Sequence, residues 1–434
     1  MKLLALLCLA LAVPAAAQAR LSSPERRMIE TVDKEQERSI ALLERLVNQN
    51  SGSLNLAGVE AVGRMMRAEL EALGFDVRWV PMTETGRAGH IVATHKGNGR
   101  GKKMLLIGHL DTVFEPDSPF QRFTRKSATE AAGPGIGDDK GGMVVMVAAL
   151  RAMQAAGTLK DADIEIVLTG DEEDNGNPIE IARVDLIEAG KRADVALDFE
   201  GLSQDDGRDM GAIARRSSGG WEVKATGKTG HSSGIFSAGS GNGAIYELSR
   251  ILAAFRSELP EPNLTFNVGL IAGGTTAALD ADKIRATATG KTNIIPAIAI
   301  ARGDIRTLSR EQDERVRAKM REIVTRHLPG TSAELRFDPD TYPPMAPTEG
   351  NRALLARLNI VNRDMGLPEM EAVDPLRRGA GDIGFVAADV DGLVGLGSAG
   401  ERSHAPGETV DIPSIARQAK RAAILMSRLA KERR

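Results

Sequence analysis

Cysteine is almost absent from this 434-residue chain, which holds one, Cys8. That excludes a disulfide framework, a thiolate zinc site and an iron–sulfur cluster. Aromatic residues are scarce, with 10 Phe, 2 Trp and 2 Tyr, too few for base-stacking platforms. No basic excess exists either. Lys plus Arg number 56 against 59 Asp plus Glu, a net charge of −3, whereas a nucleic-acid binder needs a basic face. Histidines number six, His90, His95, His109, His231, His327 and His404, so any imidazole chemistry comes from that short list.

What is present starts with an address. Lys2 is followed by an apolar run over 3–13, then Pro14 and small residues ending in Ala17-Gln18-Ala19. A charged start, a short apolar core and an A-x-A site read as a secretory signal over 1–19. The run is shorter than the ~20 residues a spanning helix needs, and no other segment is long and apolar enough. Cleavage before Arg20 removes Cys8 and leaves a cysteine-free chain, which suits an oxidising compartment. The expectation is a secreted or periplasmic protein, free of the membrane after cleavage; the competing reading is an uncleaved anchor. Hydrophobic residues at 42% and charged residues at 26% fit a folded globular protein. The length suggests two or three domains at ~150 residues each.

Periodicity supplies the architecture. Leu42, Leu43, Leu46 and Val47, then Val59, Val62, Met65, Met66, Leu70 and Leu73, recur at helical spacing. Short apolar runs at 104–108, 164–169 and 195–199 read as strands, with a helix over 141–156 between them. Such alternation predicts an α/β sheet flanked by helices. From about 216 the pattern changes to alternating strands (219–226, 264–271, 298–305) and two surface helices (242–257, 311–327). That predicts a small α+β domain with one sheet face exposed. The α/β pattern returns after 341 and ends in a helix at 412–431. The expected organisation is 20–215 and 341–434 as one domain, interrupted by 216–340.

Acidic and histidine clusters follow these strands. They are Gly108-His109-Leu110-Asp111-Thr112-Val113, Gly133-Pro134-Gly135-Ile136-Gly137-Asp138-Asp139-Lys140-Gly141-Gly142, Thr169-Gly170-Asp171-Glu172-Glu173-Asp174, Asp198-Phe199-Glu200, and Ser403-His404-Ala405-Pro406-Gly407-Glu408. Each has an ordinary reading alone: a histidine satisfied at a strand end, an acidic N-cap, a solvated turn, a surface histidine. Together they sit where an open α/β sheet collects ligands, at the carboxyl ends of its strands. His109, Asp138, Glu173, Glu200 and His404 form an N/O set suited to zinc, with cobalt or manganese as substitutes. Five ligands exceed one tetrahedral site and suit two metals with a bridging aspartate. His109 and Asp111, two apart in extended chain, face the same way, and a metal-bound histidine usually gives its other N–H to a carboxylate.

These motifs, in this order, resemble the co-catalytic zinc carboxypeptidase and deacylase family. That family includes glutamate carboxypeptidase, aminoacylase, acetylornithine deacetylase and succinyl-diaminopimelate desuccinylase. The likeness spans nearly the whole mature chain and is closest to the exported glutamate carboxypeptidase branch. It implies a zinc-peptidase domain with a central mixed sheet flanked by helices, plus an inserted lid and dimerisation domain. It implies that His109 and Glu200 hold one zinc, Glu173 and His404 the other, and that Asp138 bridges. It makes Glu172 the general base, gives Asp111 the task of orienting His109, and makes the Asp138–Asp139 peptide cis. In the lid, His231 would stabilise the oxyanion, often in the partner subunit of a homodimer. Asn293 and Arg306 would hold the substrate carboxylate, and Gly381 would line the pocket. Three departures stand out: Ala380 interrupts the glycine run, Gly381 stands where the family often has Thr or Ser, and Tyr342 stands before Pro343, where the glutamate-releasing branch can carry arginine. The implied activity is cleavage of an amide beside a free carboxylate, in a peptide or an N-acyl amino acid. A carboxypeptidase leads, an N-acyl-amino-acid deacylase is the alternative, and a silent binding protein of the same fold comes third.

Overall fold

The computed structural model describes residues 21–434, so the leader over 1–19 lies outside them. A six-stranded mixed sheet forms the centre, in the order Asp76–Pro81, Gly89–His95, Ile164–Thr169, Met104–His109, Val195–Asp198, Gly392–Val394. The last four strands run parallel, and the first two add antiparallel at one edge. The three inner parallel strands are buried along their whole length, which is why they read as unbroken apolar runs.

The sheet separates two cores. Leu106, Ile166 and Leu197 face one way, onto the helices Gln36–Asn48, Leu56–Glu71, Lys140–Ala155 and Ile412–Leu429. Leu105, Ile107 and Val167 face the other, onto Leu186, Ile383 and Val386. Helix Lys140–Ala155 lies close because its first turn is glycine. A Cβ on Gly142 would stand 2.0 Å from the Phe199 carbonyl oxygen, and one on Gly141 would stand 2.2 Å from Ser398 Oγ. Helix Ser23–Lys34 opens with a full capping box between Ser22 and Glu25. Among the described residues, no helix is long and apolar enough to cross a membrane.

A second, antiparallel sheet is built from Gly219–Gly227 between Ile298–Arg306 and Thr331–Phe337. Helices Ala244–Glu258 and Arg310–Thr325 cover one face, burying Trp221, Val223, Phe255, Met320 and Ile323. The expected strand 264–271 is broken into Thr265–Phe266 and Leu270–Gly274. The break faces Gly303, where a Cβ would stand 1.8 Å from the Asn267 carbonyl oxygen. The Trp221 indole, donating to the Asp304 carbonyl at 3.0 Å, occupies the space beside Gly303. The segments joining the two sheets pair with each other, Arg215 with Met345 and Ser218 with Tyr342.

Candidate metal centre and active site

Register brings the clusters level. His109 pairs with Thr169, and Ile107 with Asp198, so the loops after three parallel strands leave the sheet side by side. They carry Asp111, Glu172 with Glu173, and Glu200. Asp138 comes from the loop before helix Lys140–Ala155, and His404 from the loop joining Gly400–Glu401 to Thr409–Asp411.

Asp138 stands in the middle. Its Oδ1 lies 3.1 Å from His109 Nε2 and its Oδ2 lies 3.1 Å from His404 Nε2. His404 Nε2 is also 3.1 Å from Glu173 Oε2. His109, Asp138 and Glu173 each offer a ligand atom within 4.8 Å of the others. The Asp138–Asp139 peptide is cis, as the resemblance implies. Asp111 is fully buried and faces the other side of His109, with Oδ1 at 3.4 Å from Nδ1. It also accepts from Glu172 N at 3.0 Å, Glu173 N at 3.1 Å and Ser53 Oγ at 2.6 Å. Asp111 thus orients the first histidine, through its main-chain carbonyl at 3.2 Å from Nδ1 as well as its carboxylate, and its carboxylate fixes the turn bearing the other acids. Glu408, quoted above within a motif but without a role, accepts from the backbone N–H groups of Gly135, Gly137 and Asp138. It holds the glycine-rich loop that presents Asp138.

Glu200 lines the same cavity, of about 710 Å³, but its Oε2 is ion-paired with Arg215 and lies 3.5 Å from Arg378. Neither arginine is marked by any sequence pattern. Arg215 is held by the Gly379 and Ala380 carbonyls. Gly379 and Ala380 line the cavity; Gly381 is buried behind them, where a Cβ would stand 2.6 Å from both Glu200 Oε1 and Arg215 Nη1. Arg306 also lines the cavity, with Asp304 Oδ2 at 3.2 Å from its Nε. His231 and Asn293 lie together elsewhere on the second sheet's domain. Both are exposed, joined by the Ser232 N–H donating to the Asn293 carbonyl at 2.9 Å, and neither lines this cavity.

Electrostatics mark the site as cation-seeking. Burial pushes Glu173 up to about 7. Burial also raises Glu172 well above the usual carboxylate range, with Glu200, Glu173 and Asp382 adding repulsion. Asp198, buried beneath Glu200, is likewise pushed up to about 7, by burial and by the Glu200 charge. His404 is raised to about 11 by its hydrogen bonds to Asp138 and Glu173. Burial opposes charge on both His109 and Asp138, yet hydrogen bonds to Asp111 and Asp138 raise the imidazole, and those from His109 and His404 lower the Asp138 carboxyl. Glu173 Oε1 is buried with no hydrogen-bond partner among the described residues. A buried carboxylate oxygen left free beside two imidazoles and a shared aspartate is a donor set that fits divalent zinc.

A profile of Peptidase family M20/M25/M40 matches residues 105–428. The chain belongs to this family. Carboxypeptidase G2 of Pseudomonas sp. (strain RS-16) is 29% identical over 321 residues, covering 70% of this chain and 72% of that protein. Succinyl-diaminopimelate desuccinylase of Novosphingobium aromaticivorans is 29% identical over 300 residues, covering 66% and 73%. The solved aminopeptidase PepT of Bacillus cereus superposes with a TM-score of 0.71 at 19% identity, covering 91% of this chain and 99% of that one. The fold expectation is met, and this M20 member is a hydrolytic enzyme of the metallopeptidase class. The relatives named include a carboxypeptidase and a desuccinylase, so family membership leaves the substrate open.

Proposed function

We propose that the protein is an exported two-zinc carboxypeptidase that cleaves the amide bond beside a free carboxylate. The observation carrying this is one cavity lined by Asp138, Glu172, Glu173, Glu200 and His404 and also by Arg306. His109, Asp138 and Glu200 would hold one metal and Asp138, Glu173 and His404 the other. Bound there, the metals would supply an acidified water and a polarised amide carbonyl. Glu172 takes a proton from the attacking water and gives it to the leaving nitrogen. Its raised pKa is the right direction for a group that must carry a proton between two steps. Asp111 keeps His109 and the Glu172 turn in register. Arg306 offers a planar fork to the substrate carboxylate.

His231 and Asn293 act in this reading on a partner's site, in a homodimer built through the inserted domain. Their position outside the chain's own cavity, side by side and exposed, supports that division. The exported location rests on the leader over 1–19. The likeness to desuccinylases favours a second reading, an N-acyl-amino-acid deacylase using the same groups. A substrate panel separates the two: N-blocked dipeptides against N-acyl amino acids, each as free acid and as amide. A carboxypeptidase prefers the dipeptides. Losing the carboxylate's charge-assisted bond should cost ~1.5–3 kcal/mol, roughly ten- to a hundredfold in kcat/KM. Arg306→Ala should erase that difference. Equal cleavage of acid and amide by the wild type would overturn both readings.

A further inference from the structure

Tyr342, the residue that departs from the glutamate-releasing pattern, does not stand free in the cavity it borders. Its side chain is largely buried, with the ring packed edge-on against Phe385 at 5.0 Å between centroids. Arg183, fully buried, donates from Nη2 to the Tyr342 hydroxyl at 2.7 Å. Arginine has no acceptor, so the hydroxyl proton must go elsewhere. It goes to the backbone carbonyl of Glu172, 2.8 Å away. Among the described residues, no other donor reaches that carbonyl. Arg183 is itself committed through Nε to Asp382 at 2.8 Å and through Nη1 to Asp171 at 2.6 Å, so the hydroxyl's orientation is set by a fixed ion network.

The consequence concerns one peptide plane. The plane between Glu172 and Glu173 has two polar ends, the Glu172 C=O and the Glu173 N–H. Asp111 Oδ2 accepts from the N–H at 3.1 Å, and the Tyr342 hydroxyl donates to the C=O. That plane links the proposed base to a proposed metal ligand, and both of its ends are held by buried side chains. Upstream, Gly170 N–H donates to His90 Nδ1 at 3.0 Å, which holds the start of the turn. Tyr342 also belongs to the segment joining the two sheets, where its backbone exchanges hydrogen bonds with Ser218 at 2.9 and 3.0 Å.

We infer that Tyr342 is a positioning residue for Glu172, acting by clamping the Glu172–Glu173 peptide plane from the inter-domain segment; this rests on Glu172 being the base. A phenylalanine keeps the ring packing and removes the clamp together with one acceptor of Arg183 Nη2, which keeps its bond to the Asp171 carbonyl at 3.0 Å. In Tyr342→Phe, kcat should fall by about ten- to a hundredfold, the cost of a small misplacement of a reacting group. KM and metal content should stay within about twofold, since no binding group is removed. In a Glu172→Gln background, adding Tyr342→Phe should cost nothing further, because the group it positions is already silent. A fall of the same size in both backgrounds overturns the inference, as does a raised KM with kcat intact, which would make Tyr342 a substrate contact. Glu172→Gln with full activity would instead sink the base assignment. An unchanged Tyr342→Phe beside an inactive Glu172→Gln sinks the positioning role alone.

The chain's composition provides a second readout that keeps the hydroxyl at position 342. It has two tyrosines, and the other, Tyr246, is 52% exposed on helix Ala244–Glu258. Fluorotyrosine-labelled protein carrying Tyr246→Phe therefore shows one fluorine resonance, that of position 342. Asp111→Asn releases the far end of the same peptide plane and should move that resonance. A resonance that stays put would show that the two ends are not coupled and would overturn the inference.

Discussion

Asp111→Asn is the substitution whose cost can be worked through most completely. The carboxylate is fully buried and is approached only by donors: Glu172 N, Glu173 N, Ser53 Oγ and the His109 Nδ1 side of the ring. An amide keeps one acceptor oxygen and turns the other into a donor. With NH₂ at the Oδ1 position it confronts Glu172 N–H and His109. At the Oδ2 position it confronts Glu173 N–H, although Ser53 can rotate to accept. The better choice still strands one buried backbone N–H, at ~1–3 kcal/mol, and weakens the surviving bonds from charged to neutral. The metal-free protein should lose about 2–4 kcal/mol in urea unfolding. Metal affinity should fall about 10–100-fold through the disturbed histidine, read by competition with a chelating indicator.

The pH dependence has a definite sign. Burial pushes the Asp111 carboxyl up, but His109, Ser53 and the Glu173 N–H together hold it below its usual range. A lowered carboxyl contributes stability above its unfolded value of ~3.9 and loses it as pH falls through the lower folded value. The gap between wild type and variant should be full at neutral pH and narrow only below about pH 4. Stability within ~0.5 kcal/mol of wild type, with unchanged metal affinity, would refute the reasoning.

Glu172→Gln should keep its metals and lose 10²–10⁴-fold or more in turnover, whereas Glu173→Ala should lose metal, as elemental analysis would report. Solution mass measurement should find a dimer. Mixing the inactive His231→Ala and Glu172→Gln proteins under exchange conditions should restore activity, because one hybrid site is then complete; no recovery would place His231 within its own chain's chemistry or outside it altogether.

The parts of the fold legible in the sequence were those with a local signature. Strands 104–109 and 164–169 are buried on both faces, so their apolar runs have one reading. The acids that follow them were legible as a group, because four consecutive acids at 171–174 are costly without a cation or a task. Contacts made across the fold were not. Arg215 and Arg378 find Glu200 through the loop at 379–380, and nothing in their neighbouring residues announces an active-site partner. The antiparallel edge pair Asp76–Pro81 and Gly89–His95 carries charge and a glycine bend, and shows no clean alternation. The break at Asn267 depends on an indole from a neighbouring strand, lodged against Gly303, which no residue near Asn267 announces. Tyr342 was visible as a departure, but its partner is a backbone carbonyl 170 residues earlier.

The central claim is a two-metal centre made by His109, Asp138, Glu173, Glu200 and His404, and calorimetric titration of metal-stripped protein with zinc tests it most directly. Two equivalents should bind per chain, and hydrolysis should return with occupancy. Asp138→Ala, which removes the carboxylate facing both histidines, should weaken both events together. Hydrolysis by rigorously stripped protein, or binding of zinc that leaves the Asp138→Ala titration unchanged, would contradict the account.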